Sequence, residues 1–285
     1  MAEILKGGPA AKALTEKLSE RSEALKRKGV VPTLAIVRVG ERPDDLAYER
    51  GAEGRAARAG VEVRKYILPE DYRAEELFDT IRRINEDPSL HGCLVFRPLK
   101  RKEDEEKVCA LLSPEKDVDG ITPGSLASVF TGKGKGFAPC TAQAVMELLA
   151  FYGFDLTGKR VTVIGRSLVI GKPVSMMLLS SNATVTICHT RTKDLAAECR
   201  KAEILVAAAG KAGVVRGDFI SEGQVVVDVG INVDENGNLC GDVAFEEACE
   251  KAGAITPVPG GVGTMTSTVL CMHVIEAAER TLQES

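Results

Sequence analysis

The sequence predicts an α/β protein of two doubly wound units, with a last helix that returns to the first. Three observations carry this. Short β-favouring runs alternate with longer segments of helical periodicity along the chain. A turn-rich stretch at 113–140 divides the alternation and marks a passage between domains. Beyond it, a strand at 160–164 runs into a glycine turn that opens a helix. The length of 285 residues is enough for two domains of ordinary size.

The elements follow in order. Ala10, Leu14, Leu18 and Leu25 fall at helical spacing over 10–28, and Gly29 is a natural stop. A strand at 33–39 precedes a helix at 45–59 that ends at Gly60, and a strand at 61–68 follows. Over 75–85, Leu77, Phe78, Ile81 and Ile84 share one helical face. A buried strand at 92–96 and a helix at 103–112 complete the first half. After the turn-rich stretch, Thr141 is placed to cap a helix at 141–152. The second half reads strand 160–164, helix 172–180, strand 184–188, helix 194–199, strand 203–207 and strand 225–229. The last helix, about 265–282, presents Val269, Met272, Ile275 and Ala278 on one face. The expected domains are 1–138 with 265–285, and 139–264. Strands alternating with helices imply largely parallel sheets covered on both faces.

Composition narrows the function. Basic residues number 37 against 41 acidic, a net charge of −4, which leaves no electrostatic footprint for nucleic acid. No apolar run approaches a membrane span, and the N-terminus lacks the basic and apolar regions of a signal peptide, so a cytoplasmic location is expected. Eight cysteines are scattered without a C-x-x-C pair, beside three histidines. That argues against a zinc site and for cysteines that serve as small buried hydrophobes.

The motifs point to a nucleotide. Gly165 and Gly171 bracket the turn between strand and helix, where backbone N–H groups and the helix dipole favour a phosphate. The strand at 184–188 ends in His189-Thr190-Arg191-Thr192, with no carboxylate for a ribose 2′-hydroxyl. Arg166, Thr190 and Arg191 suit a 2′-phosphate through charge-assisted hydrogen bonds, which favours NADP, with NAD as the alternative. Solvated surface charge is the plainer reading of both arginines. The segment from Thr256 to Thr266 packs two prolines and three glycines into a stiff loop before the last helix, more than a simple turn requires. Asp228-Val-Gly-Ile-Asn232 ends a strand where a parallel sheet carries its site. Lys116-Asp117-Val118-Asp119-Gly120 sets two carboxylates two apart; no further acidic or histidine cluster supports a metal, and a turn is the simpler reading.

Together these motifs resemble the methylenetetrahydrofolate dehydrogenase/cyclohydrolase family, the FolD type, over nearly the whole chain. The resemblance rests on Gly-Arg-Ser-x-x-x-Gly-x-Pro, Asp-Val-Gly-Ile-Asn, Gly-Asp-Val, Pro-Val-Pro-Gly-Gly-Val-Gly-x-Met-Thr, Lys-Asp-Val-Asp-Gly and Pro-Cys-Thr. It implies an N-terminal catalytic domain, a Rossmann-like C-terminal domain, a homodimer, and a tetrahydrofolate derivative held between domains. By position, Tyr48 resembles the tyrosine that packs on the folate, and Asp119 the aspartate that hydrogen-bonds the pterin. Pro259, Gly260, Gly261 and Val262 match the loop bordering the folate. Gly165, Arg166, Ser167, Thr190 and Ile231 fall where the family binds NADP.

The departures are specific. The family's lysine four residues after the tyrosine is Ala52 here, and the glutamine that supports it is Phe96. The serine three before the tyrosine is Asp45, and Pro-Cys-Thr-Pro-x-Gly reads Pro139-Cys-Thr-Ala-Gln-Ala144. Hydride transfer needs alignment of donor and acceptor carbons. Adding water to the methenyl product needs proton transfers, which a positioned acid/base speeds by roughly 100- to 10,000-fold. The expectation is therefore a dehydrogenase with weak or absent cyclohydrolase activity. The alternatives are the ordinary bifunctional enzyme, a catalytically silent folate-binding paralogue, and a dehydrogenase for another substrate. Arg50, Arg97 and Lys100 lie near the altered positions, but arginine stays protonated and is a poor proton shuttle.

Overall fold

The computed structural model describes residues 2–283. In chain order, β1 (Glu3–Ile4) and α1 (Gly7–Arg27) lead to β2 (Thr33–Val39), α2 (Pro43–Ala59), β3 (Glu62–Leu68) and α3 (Ala74–Glu86). Then come β4 (Gly92–Val95), α4 (Lys102–Leu111), α5 (Pro123–Thr131) and α6 (Cys140–Phe151). The second half runs β5 (Arg160–Ile164), α7 (Gly171–Ser180), β6 (Thr184–Cys188), α8 (Leu195–Arg200), β7 (Ile204–Ala207) and β8 (Val225–Asp228). It closes with β9 (Asn232–Val233), β10 (Leu239–Cys240), α9 (Phe245–Cys249), β11 (Ala254–Ile255) and α10 (Thr266–Gln283).

The chain divides into two compact units. One holds Ala13–Cys140 together with the segment from Ser267; the other holds residues up to Lys12 together with Thr141–Thr266. The first twelve residues thus differ from the expected 1–138 grouping. The cause is β1, which pairs in parallel with β11 at Glu3↔Ala254 and Ile4↔Ile255. Two-residue strands carry too little alternation to be read from sequence.

In the first unit a parallel sheet of order β3-β2-β4 forms the floor of the core. Leu77, Ile81 and Ile84 of α3 are fully buried against Ala35, Val37, Cys93 and Val95 of the sheet. Gly92 admits the opposite layer: a Cβ there would stand 2.6 Å from Val118 Cγ1 and 3.0 Å from Val274 Cγ2 of α10. The last helix is also clasped to α1, because Arg21 donates through Nε and Nη2 to both oxygens of Glu279 at 2.9 and 2.7 Å. Such a forked pair fixes orientation as well as distance.

The stretch 113–140, read as turns, contains α5. Thr122 caps it by accepting from the Ser125 N–H at 3.1 Å, Pro123 occupies the first turn, and Gly132 ends it in the left-handed region. Cap, proline and terminal glycine are the expected signals at those positions, but the helix they mark is only nine residues long. Helix α6 begins at Cys140, so Thr141 lies inside its first turn rather than capping it.

In the second unit six parallel strands are ordered β1-β11-β8-β7-β5-β6. The chain reverses direction across the sheet between β5 and β7, the place where open α/β sheets receive ligands at strand C-termini. Its core includes Ile164, Leu205, Val226 and Ile255, all at most 2% exposed.

Candidate functional site

Helix α2 positions the first cluster. Pro43 starts it, and Asp44 and Asp45 in its first turn complement the helix dipole. Tyr48 and Ala52 are one turn apart and share a face. Tyr48 is 47% exposed and meets the buried Phe96 edge-on, with ring centroids 5.5 Å apart; Ala52 is buried. Ala52 and Phe96 are thus two apolar groups, each beside Tyr48. Glu49 turns away from this face. It is buried, accepts from Arg38 Nε at 2.8 Å and also pairs with Lys65 at 3.4 Å. An open cavity of about 460 Å³ lies at the ends of β2 and β4, with Val39, Asp45, Phe96, Leu99 and Lys100 on its wall.

Asp119 and Asp117 do different work. Asp117 is fully buried and accepts from the Ile121 and Thr122 N–H groups at 3.0 and 2.7 Å, so it builds the turn before α5. Asp119 keeps 28% of its side chain exposed in a recess. The dense protein around it desolvates the carboxyl, and despite the opposing charge of Arg97 its pKa is pushed up to about 6. Arg97 Nη2 stands 3.9 Å from Asp119 Oδ2, and Arg97 Nη1 is 3.4 Å from Glu105 Oε1.

Cys140 lies in this cluster but is not a nucleophile. Its thiol donates to the Val118 carbonyl at 3.2 Å, and burial raises its pKa well above the ordinary thiol value. His273 Nδ1 stands 3.9 Å from the sulfur and 2.8 Å from the same carbonyl, to which it must donate. It therefore offers no acceptor to the thiol, and burial holds the imidazole neutral with its pKa lowered to about 4.

The second unit carries the predicted nucleotide residues. Gly165 follows β5 at φ +123°, and a Cβ there would lie 2.1 Å from the Ala208 carbonyl oxygen. At Gly171 a Cβ would lie 2.3 Å from the Gly165 carbonyl oxygen. The turn is therefore a cradle only glycine permits, with backbone open to an approaching group. Arg166 and Ser167 are exposed at its rim, and Thr190 and Arg191 are exposed just past the end of β6, the strand paired with β5. The Ser167 hydroxyl accepts from the Ile170 and Gly171 N–H groups at 3.2 and 3.4 Å, so it also satisfies backbone donors where α7 begins.

Ile231 stands apart from that group. It is 69% exposed beyond β8 and lines a cavity of about 200 Å³ with Pro259, Gly260, Gly261 and Val262. The proline-glycine loop is fastened by the Gly7 N–H, which donates to the Gly260 carbonyl at 2.8 Å, and Val262–Thr264 form a short 3-10 turn.

Two aspartates hold these loops in place, and their role is not legible in the sequence. Asp228 accepts from the N–H groups of Gly230, Asp242 and Val243 at 2.9–3.0 Å; burial pushes its pKa up to about 6 against those bonds. Asp242 accepts from the N–H groups of Ala209, Gly210 and Lys211 at 2.6–2.9 Å and from Asn232 Nδ2 at 2.9 Å. Gly241 is required because a Cβ there would stand 1.9 Å from Asp228 Oδ2. The Asp-Val-Gly-Ile-Asn and Gly-Asp-Val motifs are thereby one hydrogen-bonded unit. In the sequence each aspartate is marked only by a glycine within two residues of it.

Comparison with known proteins decides the family. Residues 5–119 match the tetrahydrofolate dehydrogenase/cyclohydrolase catalytic domain, and residues 139–282 match the NAD(P)-binding domain of the same family. The chain belongs to this family. It is 49% identical over 277 residues to a bifunctional protein FolD of Alkaliphilus oremlandii, covering 97% of each chain. The solved structure of the bifunctional FolD methylenetetrahydrofolate dehydrogenase/cyclohydrolase of Campylobacter jejuni is similar with a TM-score of 0.93 at 38% identity, covering 99% of this chain and 100% of that one. That of the Trypanosoma brucei enzyme, complexed with NADP and inhibitor, gives a TM-score of 0.89 at 36% identity, covering 99% and 98%. The protein is thus a folate-linked dehydrogenase of the FolD type with an NAD(P)-binding domain.

Proposed function

We propose that this protein oxidises methylenetetrahydrofolate with NADP and hydrolyses the methenyl product to formyltetrahydrofolate. The observation that carries this reading is full-length identity of 49% to a bifunctional relative. Tyr48 offers an exposed ring face for the folate, and Asp119 an acceptor for the N–H groups of the pterin. Gly165 opens the backbone to the cofactor phosphates, and Arg166, Thr190 and Arg191 supply donors for a 2′-phosphate. Bound NADP supplies hydride acceptance. The chain's own part is to hold the two carbons in line, and no side chain need move a proton in that step. Assembly as a homodimer in the cytoplasm is part of this reading.

A second reading is favoured by one observation. With Ala52 buried and Phe96 against Tyr48, the altered face offers no proton-transferring group where the family's lysine stands. On that reading hydride transfer persists and hydrolysis is weak. Purified protein given methylenetetrahydrofolate and NADP must form NADPH; failure to do so overturns both readings. Hydrolysis of methenyltetrahydrofolate well above the spontaneous rate supports the bifunctional enzyme, and hydrolysis at the spontaneous rate replaces it with the second reading.

A further inference from the structure

The guanidinium of Arg97 stands between two carboxylates. Nη1 is 3.4 Å from Glu105 Oε1, and Nη2 is 3.9 Å from Asp119 Oδ2. Glu105 is itself anchored, because its Oε2 accepts from the Leu99 N–H at 3.1 Å. That bond ties the α4 carboxylate to the segment after β4 that carries Arg97. Arg97 and Asp119 retain 27% and 28% side-chain exposure, so their pairing is only partly screened by water. We propose that Arg97 is a positioning residue for the folate, holding the Asp119 carboxylate in place as the acceptor for the pterin's N–H donors. This rests on the proposed function for the identity of the ligand, but not for the action of Arg97 on Asp119.

The charges support it. Asp119 faces Arg97 from the segment after β4, Asp117 from its own turn, Cys140 from α6 and Tyr48 from α2. Among these Arg97 is the one cation, and it opposes a desolvation that otherwise favours the protonated acid, which is a poorer acceptor. The Glu105–Arg97–Asp119 trio carries one net negative charge. A cationic methenyl product therefore meets no net repulsion despite an arginine nearby.

The test compares wild type with Arg97→Leu and Arg97→Lys. In ligand-free protein, the Asp119 carboxyl is followed by carbon-13 NMR, assigned by its loss in Asp119→Asn. Its titration moves to higher pH in Arg97→Leu and stays near wild type in Arg97→Lys, which keeps the charge. In NADP-linked assays, KM for methylenetetrahydrofolate rises about tenfold in Arg97→Leu while kcat changes little, the loss expected for one charge-assisted contact. The acid limb of kcat/KM rises with the NMR titration. In an Asp119→Asn background, Arg97→Leu adds no further rise in KM. An Asp119 titration that ignores Arg97→Leu overturns the proposal. So does a KM rise of equal size in the Asp119→Asn background. Failure of wild type to oxidise methylenetetrahydrofolate overturns the functional reading, while the NMR titration still decides what Arg97 does to Asp119.

Discussion

Gly165→Ala tests whether the turn after β5 is a cradle set by backbone clearance. Two costs add. The residue sits at φ +123°, a region L-residues rarely enter, which costs about 1–3 kcal/mol. The new Cβ would also start 2.1 Å from the Ala208 carbonyl oxygen. That atom is backbone just past β7, and it is held by the Ala208 N–H donating to Ile164 O at 2.8 Å, so it has little freedom to retreat. A total near 3 kcal/mol lowers the melting temperature by roughly 6–12 °C. Because the strain falls on the proposed cofactor turn, the KM for NADP rises by more than the KM for the folate. Thermal unfolding and dinucleotide kinetics measure both. The control is Gly51→Ala, in the interior of α2 with open space around the new Cβ. It stabilises by about 0.5–1 kcal/mol, as alanine does in a helix. If Gly165→Ala melts with wild type and binds NADP normally, the clearance reasoning fails.

Other expectations follow from the charged groups. Arg166→Ser with Arg191→Ser raises the KM for NADP at least tenfold and leaves that for NAD within about threefold, since only the proposed 2′-phosphate contacts are lost; equal effects on both would place the arginines at the pyrophosphate or in solvent. Glu49→Gln leaves Arg38 buried without its counter-charge and costs about 3–5 kcal/mol in chemical denaturation. The desolvation of Glu49 is outweighed by its bonds to Arg38 and Lys65, so its pKa is depressed. Its stabilisation is present above the ordinary glutamate pKa and is lost as pH falls through the depressed value; Glu49→Gln removes that part of the acid sensitivity. Asp228→Asn turns an amide donor toward an N–H donor and costs about 2–3 kcal/mol, measured the same way.

The long elements were legible because their periodicity spans many residues. Leu77, Ile81 and Ile84 show the buried face of α3 directly, and Gly60 marks the end of α2 with a left-handed cap. What escaped is short or relational. Helix α5 hides in a stretch whose proline and glycines signal turns and caps alike. Strands β1 and β11 are two residues each, and only the distant partner defines them. At the candidate site, residue types pointed to the glycine turn after β5 and to the apolar face of α2. The Asp228–Asp242 lattice and the Glu105–Arg97–Asp119 trio depend on bonds between segments that no local pattern announces.

The pairing of β1 with β11 has a consequence for how the chain is made. Roughly 250 residues separate these partners, and closing so long a loop costs about 5 kcal/mol from its logarithmic growth alone. Strands β5 to β8 are available to pair as soon as they are synthesised, but the sheet gains its last two strands only once β11 has been made. Until then the segment that includes Leu5, fully buried in the finished protein, has no sheet to join. Residues Glu3 and Ile4 are thus among the last to find their place, at an edge of the sheet.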